Sequence, residues 1–358
     1  MFKGIEGARG WLAWMVVATH VIVSTPLVYL DALAALIPLA QWAVKVFIII
    51  SGFVITHLLM SARETYPIYL VRRALRIYPA YLVALAAGIL AAPLLPDLIA
   101  SFPMQPPHDI HQGILTARTI EDPGLQLLLH LSLFQGLVPE ELLPGAQHGF
   151  VPPAWSLSLE WQFYLIAPLF VAIARIRPAL TAAVVGLLWL AYELGAFGHF
   201  SNPSLIAGVG WYFLAGIFSR LHFDRLPSFR RFPLAGLLAL APLALVAPEL
   251  VPVIAWLALL AYLRSECEWA PLDGRIARWF GARSYAVYIL HHPIVLFSAW
   301  FAWRVLDLPT RPAILVAAAS ALLLVLVASE LVYRWVERPA ILFGKRLSHE
   351  PVPSSQGW

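Results

Sequence analysis

The sequence predicts an all-α fold: a polytopic membrane bundle of about ten transmembrane helices, with the N- and C-termini cytoplasmic. Two observations predict it. Of 358 residues, 61% are hydrophobic and only 12% charged, where soluble domains carry about 25% charged residues. Apolar runs of membrane length recur from one end of the chain to the other. The second observation is the side on which the basic residues fall once those runs are drawn as spans.

Taken in order, the spans fall at about 9–30, 39–60, 77–99, 154–174, 178–198, 203–219, 232–248, 250–263, 284–304 and 312–333. With the N-terminus in the cytoplasm, only Arg118, Arg304 and Arg311 fall outside and Lys45 within a span, so 20 of the 24 basic residues (24 less these 4) lie on the cytoplasmic side. Dropping or adding a middle span would scramble that asymmetry. The seventh and eighth spans are short and meet at Pro248-Glu249-Leu250-Val251-Pro252, a turn that suits a tight helical hairpin.

Lys3 before the first apolar run gives it the outline of a signal peptide, but the run is long enough to span and carries Arg9 and His20. It reads as a retained first span. Residues 1–345 read as one integral domain and 346–358 as a cytoplasmic tail without order. The net charge of +4 is small and its basic residues sit in short loops, which speaks for topology and against nucleic acid as a partner. The single cysteine, Cys267, excludes a disulfide within the chain. The longest loop, about 100–153, falls outside. It holds His108 and His111 with no clear third ligand, so no metal is expected. Its apolar segment Leu125–Phe134 is too short to span and is expected to re-enter or lie against the bundle.

Several polar residues stand in these apolar runs. His20 lies eleven residues beyond Arg9, roughly 16 Å along a helix and so about mid-membrane. An ionisable side chain there needs a partner or a task; a histidine donating to a backbone carbonyl inside the bundle is the plain alternative. Arg73 and Arg76 share a helical face. Their guanidinium forks suit phosphate oxygens, and positive-inside anchoring would also account for them. Glu160 lies about five residues into its span, at nearly the depth of Lys45, so a buried Lys45–Glu160 pair is an expectation. In the ninth span Tyr285, Tyr288, His291 and His292 precede Pro293, which removes a helical hydrogen bond. Glu330 and Glu337 are one heptad apart on one face, with Arg334 a local partner for Glu337. Such a set fits catalysis or an ion-coupled transporter or flippase.

In order, these segments resemble the acyltransferase-3 family of membrane O-acyltransferases. The resemblance runs from Arg9-Gly10 and His20, through Ser51-Gly52-Phe53, Arg73 with Arg76, and Trp155-Ser156-Leu157-Ser158-Leu159-Glu160 with Phe163-Tyr164. It continues to Ser284-Tyr285, Tyr288, His291 and Pro293, and closes at Glu337-Arg338-Pro339. Departures are Ala8, Lys45 and His292, where the family often has Leu, Asp and Trp; they bear on the pocket and so on the acceptor.

The resemblance implies transfer of an acyl group, commonly acetyl, from acyl-CoA to a hydroxyl of a carbohydrate or other secondary metabolite, in a bacterial cytoplasmic (inner) membrane. It implies Arg9, His20 and Glu160 as catalytic, and Arg73, Arg76, Tyr285 and His291 as donor-binding. His20 would act as general base or as a transient acyl carrier, and Glu160 would orient it or stabilise its charged form. The transporter reading is weakened by the lack of an internal repeat. A non-catalytic assembly partner would not need these motifs intact.

Overall fold

The computed structural model describes residues 2–61, 64–94, 96–97, 120–233, 236 and 239–347. His108, His111, Arg63, Arg118 and the tail from residue 348 lie outside the described residues. The described chain is helical, with no strand beyond one isolated bridge between Phe229 and Ser265.

The principal helices are α1 (Lys3–Val23), α2 (Pro38–Ser61), α3 (Tyr66–Ala91), α4 (Pro123–Ser132), α5 (Trp155–Ile176), α6 (Pro178–Glu193), α7 (Ile206–His222), α8 (Val251–Leu263), α9 (Arg275–Trp300), α10 (Thr310–Val332) and α11 (Arg338–Leu347). Their starts follow local rules. Pro67 and Pro178 stand in the first turns of α3 and α6, where a missing N–H costs nothing. Asp122 caps α4 by accepting from the Leu125 N–H at 3.1 Å.

Among the described residues, five segments are long and apolar enough to cross a membrane: Asp31–Ser61, Tyr66–Ala91, Pro152–Ile176, Arg275–Val305 and Thr310–Leu347. α1 has 21 residues, but Glu6, Arg9 and His20 dilute its apolar character. α6 and α8 are shorter apolar helices of 16 and 13 residues. Of the expected seventh span, the described part includes one short helix, Ala241–Val246. Large apolar side chains such as Leu90, Leu169, Leu187, Leu315 and Leu323 face outward, a surface suited to lipid and not to water.

Boundaries shift where polar residues lie inside helices. α1 begins six residues before the expected span and α3 eleven before, so Glu6, Arg9, Arg72, Arg73 and Arg76 are helical. α9 runs unbroken through Pro293. The expected segment at Leu125–Phe134 is α4, which lies against α3: Tyr81 Oη donates to the His130 carbonyl at 2.9 Å.

α1 and α9 run side by side in the same direction, because Gly10 meets Gly281 near their starts and His20 meets His291 further along. A Cβ on Gly10 would lie 2.8 Å from the Gly281 nitrogen; glycine is what lets two backbones approach this closely. α2 and α7 make a second close pair at Gly52 and Gly216. The core includes Phe53, Phe163 and Phe213, with Phe163 and Phe213 stacked at 4.0 Å.

Candidate active site

A cavity of about 340 Å³ opens among α1, α2, α3, α5, α9 and α11. Arg9, Arg73, Arg76, Tyr285 and Glu160, all expected from the sequence, line it. His20 and His291 do not; they stand beyond its inner end. That end reaches Ser156 and Tyr288, whose hydroxyls are 2.6 Å apart. Tyr288 also donates to the Pro153 carbonyl at 3.1 Å.

The arginines divide by partner. Arg72 pairs with Glu64 at 2.5 Å. Arg76 pairs with Glu337, whose side chain is fully buried, and lies 5.3 Å over the Tyr285 ring. Arg73 makes no ion pair among the described residues; its guanidinium sits 5.8 Å over the Tyr164 ring and 6.0 Å over Tyr69. Arg9 lies in the field of Arg76, Glu160, Tyr164 and Glu337. The Arg73 Nε and Ser284 Oγ atoms are buried at this cavity without a hydrogen-bond partner among the described residues. Buried polar groups are rarely left so, and donors of this kind fit an anionic or carbonyl-bearing ligand.

Two expected pairings are corrected. Lys45 pairs with Glu249, at the turn before α8, and not with Glu160. Glu160 accepts from Tyr164, one helical turn on, and from Ser51 Oγ at 3.3 Å. Glu337 pairs with Arg76 in place of its neighbour Arg334, while Glu330 pairs with Arg283. The reason is a π-helical turn at Tyr333–Glu337. The wider turn shifts the helical phase and sends the two glutamates to different partners.

His20 and His291 pack edge to face with centroids 4.7 Å apart, and His292 lies 6.0 Å from His20. His20 Nδ1 lies 2.9 Å from the Val16 carbonyl, and His291 Nδ1 lies 2.6 Å from the Tyr288 carbonyl. A carbonyl only accepts, so each neutral ring carries its proton on Nδ1 and offers Nε2 as the basic nitrogen. His291 Nε2 is buried and has no hydrogen-bond partner among the described residues. At His20, Val16 takes the Nδ1 bond that an orienting carboxylate would take in a triad. On the far side, His292 and Pro293 line a second cavity of about 40 Å³ with Gly149, Phe150 and Pro152.

Sequence reasoning placed Ser51, Ser156 and Arg338 in motifs but gave them no role in this site, and it passed over the rest of α11. Tyr164 was legible as the i+4 neighbour of Glu160; of α11, Arg338-Pro339 lay in the closing motif of the resemblance and the rest carried only its amphipathic spacing. No group of three metal-ligating side chains occurs among the described residues.

Apolar outward faces and membrane-length helices define an integral membrane protein, with an arginine-lined cavity inside its bundle. The model of a family described as an acyltransferase domain, acyltransferase-3, matches residues 2–330. The chain belongs to the acyltransferase-3 family and is a membrane acyltransferase by that membership. No curated protein and no solved structure matches it.

Proposed function

We propose that the protein transfers an acyl group, acetyl by the habit of its family, from acyl-CoA to a hydroxyl of a carbohydrate or similar acceptor. Arg73 carries this reading: it is a guanidinium at the cavity wall with no carboxylate partner among the described residues. Phosphate oxygens are its natural complement. The pantetheine arm of the donor then runs inward past Tyr285 toward Ser156 and Tyr288. Tyrosine hydroxyls there are suited to stabilise charge developing on a thioester oxygen.

His20, with its proton on Nδ1, has a basic Nε2 for the acceptor hydroxyl. The same nitrogen serves an acyl-histidine relay, in which His20 accepts the acyl group and passes it on. The small cavity beside His292 gives an acceptor hydroxyl an approach from the far side of the histidines. In this reading ten crossings with cytoplasmic termini place the donor mouth in the cytoplasm of a bacterial cell, where acyl-CoA is found.

The test is acetyl-CoA turnover by purified protein, with and without a crude glycan extract, read as free CoA thiol. Thiol release that His20→Ala abolishes in folded protein supports the proposal. Release indifferent to His20 refutes the histidine's role, and no release with any acyl-CoA refutes the donor.

A further inference from the structure

The family match ends at residue 330, yet the cavity wall does not. After the π turn, α11 lies across the start of α3, close enough that a Cβ on Gly344 would stand 3.3 Å from Leu75 Cδ1 and 3.6 Å from Arg72 Cγ. Arg338, Ile341, Leu342 and Lys345 all line the large cavity. Their spacing of three, four and seven residues puts them on one helical face. Cations stand at its two ends and apolar residues between them.

Seven residues of helix separate the two cations by about 10 Å. That distance suits two separate anionic groups better than one. Arg338 is exposed and makes no ion pair among the described residues. Arg72 and Arg76, on the adjacent face of α3, are already engaged by Glu64 and Glu337. Arg338 therefore adds to Arg73 at the mouth and does not duplicate the neutralised pair, and Lys345 stands on the same cavity-lining face one heptad on.

We propose that α11 is a phosphate-reading wall of the donor site. Arg338 and Lys345 hold the separate phosphate groups of a phosphorylated nucleotide, and Ile341 with Leu342 lines the path of its thin arm. The proposal rests on acyl-CoA as donor, whose pyrophosphate and 3′-phosphate are two such groups. An anionic lipid headgroup offers the same chemistry at the same helix, so the test separates the two sources.

The experiment is equilibrium binding of free CoA and of CoA lacking the 3′-phosphate, which involves no acyl transfer. The full-length protein is held in nanodiscs of zwitterionic lipid alone, or with added anionic lipid. Arg338→Gln and Lys345→Gln are each expected to weaken CoA binding about tenfold, the scale of a charge-assisted hydrogen bond. One of them should lose its effect when the 3′-phosphate is absent, and Arg338→Lys should restore most of the affinity. Wild-type affinity in both glutamine variants, with Arg73→Gln still impaired, overturns the role of α11 and leaves the donor reading standing. Binding of CoA unchanged by the variants, but of anionic lipid weakened, assigns α11 to headgroups and also overturns it. Failure of the wild type to bind CoA overturns the donor itself.

Discussion

The His20 and His291 rings meet edge to face at 4.7 Å, and helix backbone packing sets this distance. Each ring is tied by Nδ1 to a carbonyl of its own helix, so neither can swing freely to meet the other. Their approach depends on how closely α1 and α9 lie, and that is decided near residue 281. A Cβ on Gly281 would fall on the Glu6 carbonyl. Gly281→Val should therefore push the helices apart, at an overpacking cost of about 1–3 kcal/mol, and reduce turnover per folded molecule at least tenfold. Thermal unfolding in detergent beside acetyl-CoA turnover checks this. Full turnover in folded Gly281→Val protein would show that the close histidine pair is dispensable.

Arg73 and Arg76 share a face but should fail in different ways. Removing Arg76 leaves Glu337 buried without its partner, a loss of about 3–5 kcal/mol for a broken buried pair. Arg76→Gln should be strongly destabilised, and Arg76→Gln with Glu337→Gln should recover most of the loss. Among the described residues Arg73 holds no carboxylate, so Arg73→Gln should change stability by less than about 1 kcal/mol, within the ordinary range of cation–π contacts. It should instead raise the KM for acyl-CoA about tenfold, with kcat less affected. Unfolding curves and steady-state kinetics on the three variants decide it, and equal destabilisation by Arg73→Gln and Arg76→Gln would contradict the division of roles.

What the sequence shows and what it hides follow from range. Periodicity and charge placement are local, so the helices, the shared face of Arg73 and Arg76 and the inward set of Glu160 could be read from spacing alone. Pairings between distant helices could not. Depth suggested Glu160 for Lys45, but Lys45 reaches Glu249, because the turn before α8 folds back over α2 and α7, where Tyr212 Oη donates to the Glu249 carbonyl at 3.2 Å. Arg76 finds its partner 261 residues away through a π turn whose phase shift a heptad count does not see. His20 stood out because a histidine in an apolar run is costly. Its neighbour across the helix pair became visible only once Gly10 and Gly281 set the register of α1 against α9.

Outside the spans, α4 carries a titration that should appear as a pH limit on stability. His130 is fully buried, and burial pushes its imidazole down to about 4, against a partial upward pull from a backbone bond to Ala146 and a further push down from His148. Its Nδ1 lies 3.1 Å from Tyr81 Oη. The neutral form is therefore the folded form. In the unfolded chain the same ring takes up a proton below about pH 6.5. Between those values the unfolded state binds the extra proton, so stability holds above about pH 7 and falls as pH drops from 6.5 toward 4. The loss reaches about 3 kcal/mol at full depth. Thermal unfolding between pH 4 and 8 should show this decline in the wild type. His130→Gln should flatten it while lowering stability at pH 7, because it disturbs the Tyr81 contact. An equally steep decline in His130→Gln would place the acid-labile group elsewhere.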